Sequence, residues 1–164
     1  MTQLALLPDA RETLIVVGTS VRKRADVLAA YLDSLAAQEL PPRHTLHPIF
    51  VADNLAPDAL TLLRSWVAAR GGEILTGAPA PMLDFTDDHP DSHQWAESAM
   101  ARVGAAKDRI LMRARALHAD FVWLCDADLM CDTTTLKSLL SCAAPIASAV
   151  YWTRWSARQV ETQR

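Results

Sequence analysis

Apolar positions along the chain switch between two spacings, and the switches mark the elements. Residues 13–17 form a short, β-branched, almost uniformly apolar run, as expected for a strand covered on both faces in a parallel sheet. Gly18, Thr19 and Ser20 follow as the expected loop at its end. Val27, Leu28, Tyr31, Leu32 and Leu35 then recur at helical spacing until Pro41 and Pro42 stop the pattern. A second apolar run, 48–52, predicts a strand ending at Asp53 and Asn54. Pro57 and Asp58 suit the first turn of a helix with Leu60, Leu63 and Val67 on its inner face, ended by Gly71 and Gly72. Residues 73–76 read as a third, weaker strand. Strands alternating with helices predict an α/β fold: a doubly wound, mostly parallel sheet flanked by helices, with right-handed crossovers.

Residues 77–92 break the pattern, with Pro79, Pro81 and Pro90 among Asp84, Asp87, Asp88, His89 and Asp91, and His93 just beyond. This stretch is expected to be a solvated acidic loop, although oxygen and imidazole groups at that density are also metal ligands. A long helix is predicted from Trp95, since Val103, Ala106, Ile110, Ala114 and Leu117 line one face. It leads into the apolar run 121–125, a strand ending at Asp126, Ala127 and Asp128. Asp132 to Thr135 offer an N-cap for a helix bearing Leu136, Leu139 and Leu140. After Pro145, residues 146–151 read as a further strand, followed by Trp152, Arg154 and Trp155.

At 164 residues and 51% hydrophobic, the chain suffices for one domain, residues 1–164, with a real core. Its net charge of −3, with basic and acidic residues mixed, excludes the electrostatic footprint of a nucleic-acid or anionic-lipid binder. Cys125, Cys131 and Cys142 are odd in number and lack C-x-x-C spacing, so buried or idle thiols are expected rather than disulfides or zinc. With no apolar stretch of spanning length and no basic, then apolar, start, a cytoplasmic location is the expectation.

The candidate chemistry lies at the predicted strand ends. Side chains two apart on a strand share a face, so Asp126 and Asp128 can present two carboxylates together. Hard cations such as Mg²⁺ or Mn²⁺ take such oxygens and complete their shell with water and substrate phosphates. In an open parallel sheet, ligands bind beyond the carboxyl ends of the strands. Gly18, Thr19 and Ser20, Asp53, and the Asp126–Asp128 pair can therefore converge on one ligand. Gly18 allows close backbone approach, Thr19 and Ser20 offer hydroxyls, and Asp53 can accept from a base or ribose. Neither G-x-G-x-x-G nor G-x-x-x-x-G-K-[ST] occurs, which leaves the phosphate to a metal.

A D-x-D at a strand end beside a nucleotide-sized crevice resembles the GT-A (Rossmann-like) glycosyltransferases, the fold of family-2-type enzymes that use nucleotide-diphosphate sugars. The resemblance to a bacterial branch continues through His93, Gln94, Trp95, Val103, Lys107, Asp108, Arg109, Ile110, Asp126 to Leu129, Thr135, Leu136, Leu139, Leu140, Pro145, Ile146 and Val150 to Trp155. Relatives tend to carry Asn where Asp108 stands. The resemblance implies Asp126 and Asp128 on Mn²⁺ or Mg²⁺ bridging a diphosphate, Asp53 near the nucleobase, and Lys107 or Arg109 paired with phosphate or sugar. Trp152 and Trp155 either close the core or stack on the ligand. The implied activity is sugar transfer from a nucleotide-diphosphate sugar to an unknown acceptor.

Inverting members need a carboxylate base from beyond the metal strand. Only Glu161 follows Trp155, in a polar tail expected to fray, so no base is assigned. The chain thus reads as a donor-binding half whose acceptor half is absent, truncated after the metal strand, with an open sheet edge that favours a homodimer. Two alternatives stand beside this: a sugar-nucleotide-binding domain without turnover, and a sugar nucleotidyltransferase, although the run from Gly18 to Arg24 holds a single glycine.

Overall fold

The computed structural model describes residues 11–53, 55–76, 97–156 and 159–163, with the backbone alone for 97–99 and from 151 onward. In chain order the elements are β1 (Thr13–Val21), α1 (Ala25–Ala36), β2 (His44–Ala52), α2 (Pro57–Arg70), β3 (Glu73–Thr76), α3 (Glu97–Ala116), β4 (Phe121–Leu124), α4 (Thr135–Ser141), β5 (Tyr151–Ser156) and β6 (Gln159–Gln163). The first four strands form a parallel sheet in the order β3-β2-β1-β4. The α/β expectation therefore holds, with every strand of this sheet parallel. Among the described residues, no helix is long and apolar enough to cross a membrane.

Alternation along β1 divides the core in two. Val17 and Val21 point to a cluster with Leu28, Tyr31, Leu32 and Leu35 of α1, Phe50 of β2, and Ala59 and Leu63 of α2. Val16 faces the opposite layer with Ile49, Val51, Ala106, Ile110 and Ala114, the last three supplied by α3. This is why residues 13–17 are uniformly apolar: one strand serves two helical layers. Val27, expected on the inner face of α1, is 38% exposed.

The structure corrects three boundaries. β1 does not stop at Gly18; it pairs through Thr19, Ser20 and Val21 with Phe50, Val51 and Ala52. Gly18 ends nothing, because its missing side chain makes room for α3: a Cβ there would collide with the Ile110 side chain. Residues 146–150 are not a strand. Ile146 is 90% and Val150 62% exposed, and the strand begins at Tyr151, where β6 supplies an antiparallel partner. The tail expected to fray is that partner. A strand needs a neighbour as well as a propensity, and apolarity alone does not supply one.

Candidate functional site

The chain adds β2 and β3 on one side of β1, then crosses back to lay β4 on the other. β1 and β4 therefore flank the point where the direction of sheet growth reverses, and in open parallel sheets ligands bind beyond the carboxyl ends of the strands at such a point. Three short segments border it: Arg22 to Arg24 after β1, Asp53 after β2, and Asp126 to Asp128 after β4.

The alternation of β4 continues past its last ladder residue. The N–H of Cys125 donates to the Gly18 carbonyl at 3.1 Å, and Cys125 and Ala127 are buried in the α1 layer of the core, at 5% and 1% exposure. Asp126 and Asp128 are consequently turned outward, with side chains 59% and 49% exposed. The Leu129 N–H donates to the Asp126 carbonyl at 3.2 Å and closes the turn, while Leu129 packs back on the core.

Each carboxylate meets a lysine from a different element. Lys23, in the loop after β1, places Nζ 2.6 Å from Asp128 Oδ2. Lys107, on α3, places Nζ 3.5 Å from Asp126 Oδ1. Asp53 lies deeper, its Oδ2 3.6 Å from Arg102 Nη1 of α3, both side chains under one-fifth exposed. Two outward carboxylates within one tight turn fit a hard cation that keeps several waters. Among the described residues no third His, Cys, Asp or Glu joins them, so ligand or water oxygens would have to complete the shell.

Other expected site residues are placed differently. Thr19 is 1% exposed, and its hydroxyl shares a buried 2.5 Å hydrogen bond with the Tyr31 hydroxyl. Burial there pushes the Tyr31 phenol upward. Gly18 accommodates Ile110, as above, so neither Gly18 nor Thr19 lines a loop open to ligand. Ser20 is half-buried within β1. Arg109 donates to the Thr76 carbonyl at 2.9 Å, which ties α3 to the end of β3. The acidic segment 77–92, with His93 and Trp95, lies outside the described residues, as do the side chains of Trp152, Arg154 and Trp155.

Lys23 and Arg102 were not singled out by sequence. Lys23 sits in the basic triplet Arg22, Lys23, Arg24, which marked charge at a strand end without showing which residue faces the carboxylates. For Arg102 no local signal existed; its relation to Asp53 depends on where α3 crosses the sheet. The thiols are not all isolated either: Cys125 Sγ and Cys131 Sγ are 3.7 Å apart across the carboxylate turn. That contact, then burial, pushes the Cys125 thiol upward.

No family model matches the sequence. Over 142 residues, 82% of the chain, it is 28% identical to a glycosyltransferase 25 family member of Drosophila pseudoobscura pseudoobscura. The chain spans 22% of the length of that protein. S. aureus TarS 1-349 shares the fold at TM-score 0.53 and 16% identity, over 79% of this chain and 31% of that one; it has also been solved with UDP-GlcNAc and with UDP. The mannosyltransferase PcManGT from Pyrobaculum calidifontis, in complex with GDP-Man and Mn²⁺, superposes at TM-score 0.50 and 16% identity, over 87% of this chain and 36% of that one.

Proposed function

We propose that this chain forms the donor-binding part of a GT-A glycosyltransferase, and that Asp126 and Asp128 hold Mn²⁺ or Mg²⁺ against the diphosphate of a nucleotide sugar. The observation that carries the reading is the outward Asp126–Asp128 pair at the β1/β4 switch point, with each carboxylate matched by a lysine from a separate element. Fold neighbours bound to UDP-GlcNAc and to GDP-Man with Mn²⁺ support it. The motif series from His93 to Trp155 supports the finer reading of a family-2-type enzyme of a bacterial branch.

A bound divalent cation would neutralise charge growing on the departing nucleoside diphosphate. The chain's own residues do the positioning. Asp126 and Asp128 supply the oxygens, and the buried anchors Cys125 and Ala127 keep them turned outward. With the carboxylates committed to a cation, Lys23 and Lys107, now paired with them, would be available to phosphate oxygens, where an ammonium acts as a point charge. Asp53, paired with Arg102 at the β2 end, is the residue this reading assigns to the base or ribose. Ser20 and Arg109 remain outer members of the same reading. Donor binding is the part of the activity these residues account for; the acceptor and the base that deprotonates it are not assigned to residues of this chain.

The test is calorimetric titration of the chain with UDP, GDP and dTDP in Mn²⁺, beside Asp128→Ala. Metal-dependent binding of one nucleotide, weakened by more than about tenfold in the variant, is expected, a loss of at least ~1.4 kcal/mol. Equal affinity with and without metal, or in both proteins, would remove the carboxylate pair from the site.

A further inference from the structure

The carboxylate turn is bracketed by two sulfurs. Cys125 closes β4 and Cys131 lies six residues on, and the turn bonded from Leu129 N–H to the Asp126 carbonyl folds the chain back between them. Their Sγ atoms are 3.7 Å apart, and both pack on the α1 face of the sheet. A disulfide bond is about 2.05 Å long, so the sulfurs must approach by roughly 1.7 Å. Closing that gap requires rotation of the side chains about their Cα–Cβ bonds, with any remaining distance taken up by the backbone. Access is unequal: Cys125 is 5% exposed, Cys131 is half-buried, and the neighbouring Met130 is 77% exposed.

We propose that Cys125 and Cys131 form a reversible disulfide that locks the turn carrying Asp126 and Asp128. The oxidant is a low-molecular-weight disulfide. Cys131, as thiolate, attacks one reagent sulfur, giving a mixed disulfide and releasing one reagent thiol. Cys125 then gives up its proton and its sulfur displaces the second reagent thiol. Two protein thiols are oxidised to one disulfide, and one reagent disulfide is reduced to two thiols. Cys142, exposed on α4's far end, takes no part. The resulting ring encloses both outward carboxylates, so oxidation acts on the spacing and mobility of the proposed cation ligands themselves.

The cross-link is independent of the donor-site reading, whereas its effect on a cation rests on that reading. The experiment treats the full chain carrying Cys142→Ser with oxidised glutathione, then applies non-reducing peptide mass analysis and amide hydrogen exchange. A linked 125/131 species lighter by two hydrogens is expected, with slowed exchange at residues 126–130 that thiol reductant reverses. Cys131→Ser in the same background should show neither. In parallel, Mn²⁺ affinity should differ by roughly threefold or more between the two redox forms. Glutathione added separately to each thiol without a link, unchanged exchange across the turn, or equal Mn²⁺ affinity in both forms would overturn the proposal. If neither form binds Mn²⁺, the donor-site reading fails, and the mass and exchange measurements still decide the lock.

Discussion

Asp126 and Asp128 owe their outward placement to their inward neighbours, since Cys125 and Ala127 occupy the core side of the same extended segment. Lys23 sits 2.6 Å from Asp128 with both side chains more than one-third exposed, so solvent screens the pair and it adds little stability. Lys23→Gln should therefore leave the unfolding free energy within ~0.5 kcal/mol of wild type. In calorimetry it should tighten free Mn²⁺ binding by about two- to fivefold, by removing the competing cation, while weakening nucleoside diphosphate binding. Weakened Mn²⁺ binding would show that Lys23 supports the carboxylate instead of competing for it. Thr19 belongs to the same scale with the opposite sense. Thr19→Val leaves the Tyr31 hydroxyl buried without its 2.5 Å partner, which should lower stability in urea unfolding by ~1–3 kcal/mol. Nucleotide affinity should not change. The carboxylate pair was legible in sequence because strand alternation is local. Thr19's role was not, because a hydroxyl looks the same on a ligand loop and in a core until the partner across from it is known.

α3 crosses the sheet where β1 has no side chain. A Cβ at Gly18 would meet the Ile110 side chain first and Leu124 next, so Gly18→Ala should destabilise the fold by ~1–3 kcal/mol through overpacking. Replacing Ile110 with Ala, which removes the Cγ2 methyl that the new Cβ would meet, should cost less in that background than in wild type, a coupling that a double-mutant cycle measures. Additive effects would mean that the helix does not press on Gly18. The spacing of Ala106, Ile110 and Ala114 already identified the buried face of α3. Which strand position it would press on was invisible, and Gly18 accordingly read as a ligand-loop glycine. The same limit applies to residues 146–150, whose apolar, β-rich composition found no strand to pair with among the described residues.

Glu73 joins three elements at a distance from the carboxylate pair. Its carboxylate accepts two hydrogen bonds from Arg113 of α3, at 2.7 and 2.8 Å, and lies 3.1 Å from His47 Nε2 of β2. Arg113 first, and His47 after the opposing effect of burial, hold Glu73 below the usual carboxylate range. A lowered pKa contributes stability that is present above the unfolded-state value, ~4.3, and is lost as pH falls through the folded value. Glu73→Gln should therefore melt lower than wild type at neutral pH, with the gap closing as pH falls below the unfolded-state value and through the lowered folded one. A constant difference across that range would remove the carboxylate as the cause. At this scale the sequence by itself determined the α/β class, the faces of its helices and the carboxylate pair, because these follow from spacing within one segment. The tertiary structure alone decided the order β3-β2-β1-β4. That order brings Lys23 to Asp128 from a segment 105 residues away and sets Arg102 of α3 beside Asp53 at the end of β2. Convergence of this kind depends on which strand lies next to which, and the pairing of distant strands is a property of the whole packed sheet.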